Sequence, residues 1–285
     1  MMKKRTIRII AVLIMVFVIF AMSGCSAKKV SSDVWTTIYP VYSIAKEIVG
    51  DKYRVHKILD DGVEPHSFEP SASDVAKISS SKAIFYLGNI DEWANKIEAN
   101  VKYKVSEGIS IKEDDPHVWT SPVNAIKIAQ NISNTMKKVD PQNKDYYEKN
   151  YLKFKNDMIN LHKKFVNLSK KAKRKSFLVS HPAFYYLAKD YGFIQYSITG
   201  VNEEEEPSAS KVKEILNIVK KENIRFVLHD PLENPNIVEP IAREANLSIV
   251  DVYGMGITSP EISAKESFYS LMLKNYNAFE KVLMD

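Results

Sequence analysis

Six histidines are the residues of this sequence best suited to chemistry, and three of them lie in loops at expected strand-to-helix junctions. His66 lies in a stretch rich in Asp, Gly and Pro, His117 follows Pro116 in a second loop, and His181 follows the apolar run 177–179. Neutral imidazole is a common ligand of zinc and of other first-row transition metals. Because α/β folds place ligands at the carboxyl ends of strands, the three histidines together indicate a metal site.

Each of these histidines, taken alone, also fits an exposed polar side chain of a loop. The other three fit that interpretation better. His56 alternates with apolar residues and is expected to face water, and His162 lies among lysines beside an apolar stripe. His229 ends the apolar run 226–228 and is ambiguous, as is Asp230 next to it. A carboxylate is a usual fourth donor to zinc, and Asp251 at the end of an apolar run is the best candidate, although it could equally cap a turn.

Short apolar runs and amphipathic segments alternate from residue 34 onward, which is typical of an α/β fold. The expected strands are residues 34–38, 53–59, 83–87, 177–179, 226–228 and 248–252. The expected helices are residues 41–49, 74–80, 122–139 and 211–222, with Ser73 capping the second, Ser121 and Pro122 opening the third, and Ser208 capping the fourth.

One long helix is predicted over residues 141–172. Apolar side chains recur there at alternating spacings of four and three, which is one face of an α-helix, namely Tyr147, Tyr151, Phe154, Met158, Leu161, Phe165 and Leu168. Some 30 residues at 1.5 Å each would reach about 45 Å, which is enough to run along two lobes. An independent coiled coil is the rival interpretation, but it leaves the α/β pattern on both sides unexplained. We therefore expect lobes at residues 34–140 and 173–285 joined by this rigid helix.

The amino terminus has the features of an export signal. A basic segment ending at Arg8 precedes the apolar run 9–22, which is too short to span a bilayer and fits a signal peptide. Ser23 and Gly24 stand directly before Cys25, as in bacterial lipoprotein signals, where the cysteine becomes acylated. We expect a lipoprotein signal peptide at residues 1–24 and a tether at 25–33; the alternative is an uncleaved membrane anchor.

Charge and cysteine content exclude several classes of protein. The formal net charge is +5, but the four basic residues of the signal segment account for most of it, so the rest of the chain is nearly neutral. That balance argues against a nucleic-acid partner, which requires clustered basic surface. The single cysteine excludes an intramolecular disulfide framework and a CxxC metal site.

Five segments together resemble a known family. They are DGVEPHSFEP at 61–70, DPHVW at 115–119, SHPAFYYLAKDYG at 180–192, EPS at 206–208 and DVYG at 251–254. In this order and spacing they resemble the metal-specific solute-binding lipoproteins of bacterial ABC transporters, the zinc and manganese receptors.

The resemblance implies two lobes of parallel sheet flanked by helices and joined by one long helix, with the metal in the cleft between them. It assigns the metal to His66, His117, His181 and Asp251. In some members the residue matching Glu64 touches the metal or orients a ligand, so Glu64 is a second-tier site residue. It also implies a monomeric receptor and not an enzyme. This receptor is anchored through Cys25 to the outer face of the cytoplasmic membrane and delivers its ion to an ABC permease.

The histidine at position 181 bears on the choice of metal. Manganese-selective members of the family carry Glu there, and a site of three nitrogens and one oxygen suits four-coordinate zinc better. Two departures from the zinc receptors are the absence of a His-rich loop between the first two ligands and Pro182 in place of an acidic residue. Zinc import is thus the expected function. The alternatives are a manganese or iron receptor, a surface adhesin and, less favoured because no HExxH pair is present, a zinc hydrolase or lyase.

Overall fold

The computed structural model describes residues 33–112, 115–200 and 207–285. The expected signal peptide, Cys25 and all of the tether but its last residue lie outside these ranges. Within them, no helix combines the length and the apolar character that crossing a bilayer requires.

The first lobe is built on a parallel four-stranded sheet. Its strands run in the order β2-β1-β3-β4, so that β2 and β4 form the edges. The elements of this lobe are β1 (Asp33–Thr36), α1 (Tyr39–Val49), β2 (Arg54–Lys57), α2 (Ala72–Ser79), β3 (Ala83–Tyr86), β4 (Lys102–Lys104) and α3 (Pro122–Val139). The central strand β3 is buried at all four positions, as expected where helices cover both faces of a parallel sheet.

The second lobe repeats this topology. Its parallel sheet has the order β6-β5-β7-β8, with β6 and β8 at the edges. The elements are β5 (Ser176–Val179), α5 (Tyr185–Tyr191), β6 (Ile194–Ser197), α6 (Ala209–Glu222), β7 (Phe226–His229), α7 (Pro235–Glu244), β8 (Ser248–Asp251), α8 (Pro260–Lys265) and α9 (Phe268–Met284). The expected fold class, two parallel-sheet lobes flanked by helices, is confirmed.

A single helix of 28 residues, α4 (Lys144–Lys171), lies between the two lobes in the chain. Its buried side chains are the seven apolar residues from Tyr147 to Leu168 that the periodicity selects, so the prediction of one continuous apolar face is confirmed. Near the amino terminus of α4, Asn150 donates to the carbonyl oxygen of Ile48 in α1. Near its carboxyl terminus, Phe165 packs edge-on against Phe279 of α9. The helix therefore contributes to both cores, while the lobe boundaries at residues 140 and 173 stay predictions.

The helix starts show where local sequence is informative. Ser121 accepts from the backbone N–H of Asn124 and Ser208 from that of Lys211, as their N-cap assignments predict. The predicted cap of α2 at Ser73 is wrong. Ser71 caps that helix instead, because it forms a reciprocal capping box with Asp74, three positions further on.

Candidate metal centre

Three histidines from three different loops meet at one point. His66 follows β2, His117 precedes the short 3₁₀ helix Val118–Thr120, and His181 lies two residues beyond β5. One potential ligand atom from each lies within 4.8 Å of the other two. The ring centroids are 4.8 to 5.8 Å apart. The structure thus unites residues that are separated by more than 50 positions in the sequence.

His117 is oriented by an aspartate two positions earlier. Oδ1 of Asp115 lies 2.8 Å from Nδ1 of His117 and also accepts the backbone N–H of His117 at 3.0 Å. Donation from Nδ1–H to the carboxylate leaves the lone pair on Nε2, which faces the other histidines. Both side chains are nearly inaccessible to solvent. Asp115 was not predicted as a site residue, although its position in DPH was a usable signal.

His66 is held by the carboxylate of Glu64. Oε1 of Glu64 accepts the backbone N–H of His66 at 2.8 Å, and Oε2 accepts the backbone N–H of Ser67 at 2.9 Å. Nε2 of His66 is buried and has no hydrogen-bond partner among the residues that the structure describes. A buried polar atom without a partner is costly unless a ligand completes it. Because it accepts two backbone N–H groups, the carboxylate of Glu64 fixes the conformation of the loop. The same carboxylate lies 4.0 Å from Nε2 of His66.

His181 completes the group from the second lobe. Its Nε2 lies 3.0 Å from Nε2 of His117. Burial, and then repulsion from His117 and His66, lowers the pKa of His181 to about 2. Burial, and then repulsion from His117, also lowers the pKa of His66 to about 4. Both imidazoles are therefore neutral near pH 7, with lone pairs available to a cation.

Asp251 is not brought to the three histidines. It is exposed at the end of β8, and its oxygens are not among the ligand atoms that meet there. Side chains alternate along a strand, and the neighbours Val250 and Val252 are buried, so Asp251 faces away from the core of its lobe. The geometry therefore gives no support to the sequence prediction of Asp251 as the fourth ligand.

Two other carboxylates line a cavity beside the group. Asp230 and Glu233 line the same small cavity as His117 and His181. Burial raises the pKa of Asp230 to about 6, although backbone N–H groups of Leu232 and Gly254 donate to its two oxygens. Glu233 accepts from the hydroxyl of Ser180. The sequence left Asp230 ambiguous and did not predict Glu233, which lies in a turn after β7.

The remaining histidines lie elsewhere or beside the group. His56 stacks on Trp35 at 4.8 Å between ring centroids, and Nδ1 of His162 lies 3.1 Å from the hydroxyl of Tyr191. His229 is buried, and its Nδ1 lies 3.7 Å from a carboxylate oxygen of Glu233, the residue that lines the cavity. His56 and His162 thus have structural contacts, whereas His229 lies against Glu233, which lines the cavity.

Sequence comparison finds zinc-uptake proteins. A model of the family described as the periplasmic component A of a zinc-uptake complex matches residues 34–282. The high-affinity zinc uptake system protein ZnuA of Bacillus subtilis is 30% identical over 94% of this chain and 95% of its own length. The zinc-binding lipoprotein AdcA of Streptococcus pneumoniae is 31% identical over 90% of this chain. This chain spans only 58% of the length of that relative.

Solved structures give the same result. The zinc-bound ZnuA-like domain of Streptococcus pneumoniae AdcA superposes with a TM-score of 0.80 at 31% identity, covering 90% of this chain and all of the domain. The laminin-binding protein Lmb of Streptococcus agalactiae, described as a bifunctional adhesin and metal transporter, gives a TM-score of 0.82 at 31% identity. That match covers 89% of this chain and all of Lmb.

Proposed function

We propose a function for this chain from the family to which it belongs, the periplasmic component A proteins of zinc-uptake complexes. It is a receptor that binds one Zn²⁺ ion outside the cytoplasm and passes that ion to an ABC permease. The observation that carries this proposal is the convergence of His66, His117 and His181. Relatives named for zinc binding or zinc uptake support the choice of ion.

The three imidazoles form a site with the donor chemistry of zinc. Zinc in proteins takes about four ligands and binds imidazole nitrogen readily. The Nε2 atoms of His117 and His181 are 3.0 Å apart, so a small shift of either ring would let both contact one ion. A bound cation would also remove the cost of burying Nε2 of His66 without a partner.

The nitrogen of His181 also bears on selectivity. Manganese prefers oxygen donors, whereas imidazole suits zinc, so three nitrogens favour zinc over manganese. The fourth donor is open to direct test. Asp251 is the prediction from sequence, and Asp230 lines the cavity with two of the histidines.

Both lobes contribute to this site, so binding would hold them together. His66 and His117 come from the lobe of β1–β4, and His181 comes from the lobe of β5–β8. An acylated Cys25 attaches the protein to the membrane in this proposal, and the metal-binding lobes then lie outside the cytoplasm. Transfer to the permease then requires the two lobes to separate enough to break at least one ligand contact.

Calorimetric titration of the metal-free protein with zinc tests the proposal. Wild type and His162→Ala should bind one equivalent with the same affinity, because His162 contacts Tyr191 and not the site. His66→Ala, His117→Ala and His181→Ala should each weaken binding severely. Asp251→Ala and Asp230→Asn identify the fourth donor, since only the variant that loses a ligand should bind zinc as weakly as the histidine variants. Full affinity in all three histidine variants would refute the site.

A further inference from the structure

The loop between β2 and α2 is tied to the opposite lobe by contacts that the metal site does not use. Oδ1 of Asp61 accepts hydrogen bonds from Nζ of Lys57 in its own lobe and from the hydroxyls of Thr258 and Ser263 in the second lobe, each at 2.7 Å. The backbone N–H of Gly62 donates to the carbonyl oxygen of Thr258, also at 2.7 Å. We call these five residues the Asp61 latch.

The side-chain bonds of the latch are partly shielded from water, whereas Gly62 is exposed. The side chains of Lys57 and Asp61 are only 12% and 22% exposed, and Thr258 is buried. Burial alone would raise the pKa of Asp61, but hydrogen bonds from Lys57, Ser263 and Thr258 outweigh it and hold that pKa below its usual value. Asp61 is therefore a carboxylate with three donors on one oxygen, and such charge-assisted hydrogen bonds are stronger than neutral ones.

The latch joins two segments that border the metal centre. Asp61 lies five residues before His66 on the same loop. Thr258 directly follows Ile257, which lines the cavity of His117 and His181 together with Gly256. A movement that separates Asp61 from Thr258 would therefore pull His66 away from the other two histidines.

The His117 side of the site is attached to the second lobe by different bonds. Nε1 of Trp119 donates to the carbonyl oxygen of Gly254 at 2.8 Å, and the hydroxyl of Thr120 donates to that of Ala183 at 2.9 Å. These contacts hold His117 near His181, and neither involves a residue of the latch. Consequently the His66 loop is the part of the site whose attachment depends on Asp61.

We infer that Asp61 is a positioning residue that keeps the His66 loop closed against the second lobe and so sets the rate at which the bound metal leaves. The inference rests on the proposed zinc site. Asp61 is not a metal ligand; it acts through His66, by resisting the separation of the two lobes at the latch.

Rapid mixing of zinc-loaded protein with excess chelator measures the release rate directly. Asp61→Asn should release zinc at least about tenfold faster than wild type, because hydrogen bonds to a charged group are the stronger class. Thr258→Val combined with Ser263→Ala, which removes both donors from the other lobe without changing charge, should have a similar effect. The association rate and the melting temperature of the metal-free protein should change little, whereas a general loss of folding would move both.

A double-mutant cycle separates the latch from nonspecific effects. Asp61→Asn added to the Thr258→Val and Ser263→Ala variant should accelerate release much less than the product of the two separate effects, because all remove the same bonds. Asp74→Asn is the matched control, since within the described part of the chain Asp74 bonds to Ser71 and Lys77 of its own lobe. Wild-type release rates in the Asp61 and Thr258/Ser263 variants, or multiplicative effects, would overturn the inference. A wild-type protein that took up no zinc would instead overturn the proposed function.

Discussion

Asp115 offers a sharp test of how the proposed metal centre is organised, because it touches the proposed ligand His117 and does not line the cavity beside that histidine. Its Oδ1 accepts both the ring Nδ1–H and the backbone N–H of His117. Asp115→Asn keeps the size of the side chain but removes the charge and presents a weaker acceptor. We expect the ring of His117 to be less well fixed and Nε2 to be a weaker donor to zinc.

The size of the effect follows from the usual loss of metal affinity when a residue that hydrogen-bonds to a metal-binding histidine is removed. That removal typically costs 10- to 100-fold in metal affinity, about 1.4 to 2.7 kcal/mol. Zinc at a thousandfold excess over the wild-type Kd stabilises the native state by about 4.1 kcal/mol. With the weaker site the same zinc concentration would leave about 2.7 to 1.4 kcal/mol. At about 2 to 4 °C per kcal/mol for a chain of this size, the zinc-induced rise in Tm should shrink by roughly 3 to 11 °C.

Differential scanning calorimetry with and without zinc measures this change. His162→Ala, on α4 and away from the site, is the control and should keep the full rise. Metal-free Asp115→Asn should still unfold cooperatively, since the aspartate lies in a loop and not in either core. If Asp115→Asn retained the wild-type rise while His117→Ala lost it, orientation by the carboxylate would be refuted and the ligand itself would stand.

Three further outcomes are expected. His181→Glu should lower the affinity for zinc relative to manganese in competition titrations, because it exchanges an imidazole nitrogen for a hard oxygen; an unchanged ratio would show that lobe geometry sets selectivity. Cys25→Ser should abolish incorporation of a radioactive fatty acid and release the protein from membranes or leave an unprocessed precursor; label that persists in the variant would exclude Cys25 as the acylated residue. The metal-free protein should lose stability as pH falls from about 6.5 to 4. In the unfolded chain His66 binds a proton near pH 6.5, whereas in the folded chain its pKa is about 4, so acid favours the unfolded chain. Urea unfolding should show a shallower fall in His66→Asn, and an identical pH dependence would contradict the lowered pKa.

The sequence by itself determined the features that depend on near neighbours in the chain. The apolar face of α4 was readable because side chains three and four residues apart share one face of a helix. The N-caps at Ser121 and Ser208 depend on a hydrogen bond to a residue three positions away. The three site histidines were identifiable because each follows a recognisable apolar run or a turn-rich motif.

The edge strands β4 and β6 were not readable in this way, whereas the edge strands β2 and β8 were predicted. The strands β4 (Lys102–Lys104) and β6 (Ile194–Ser197) were missed because they contain charged or exposed residues and no apolar run. Each pairs with a single neighbour, β3 and β5 respectively. Their strand conformation is fixed by backbone hydrogen bonds to that neighbour, which a local pattern does not reveal.

Only the tertiary structure decided which polar groups meet at the candidate metal centre. It brought His66, His117 and His181 together, left Asp251 exposed and placed Asp230 against the cavity. Likewise, Asp61 and Ser263 are separated by 202 positions and meet only because the two lobes face each other. Ligand type is a property of a residue, but ligand distance is a property of the packed lobes. A strand end therefore marks a candidate, and the direction of its side chain decides whether the candidate reaches the site.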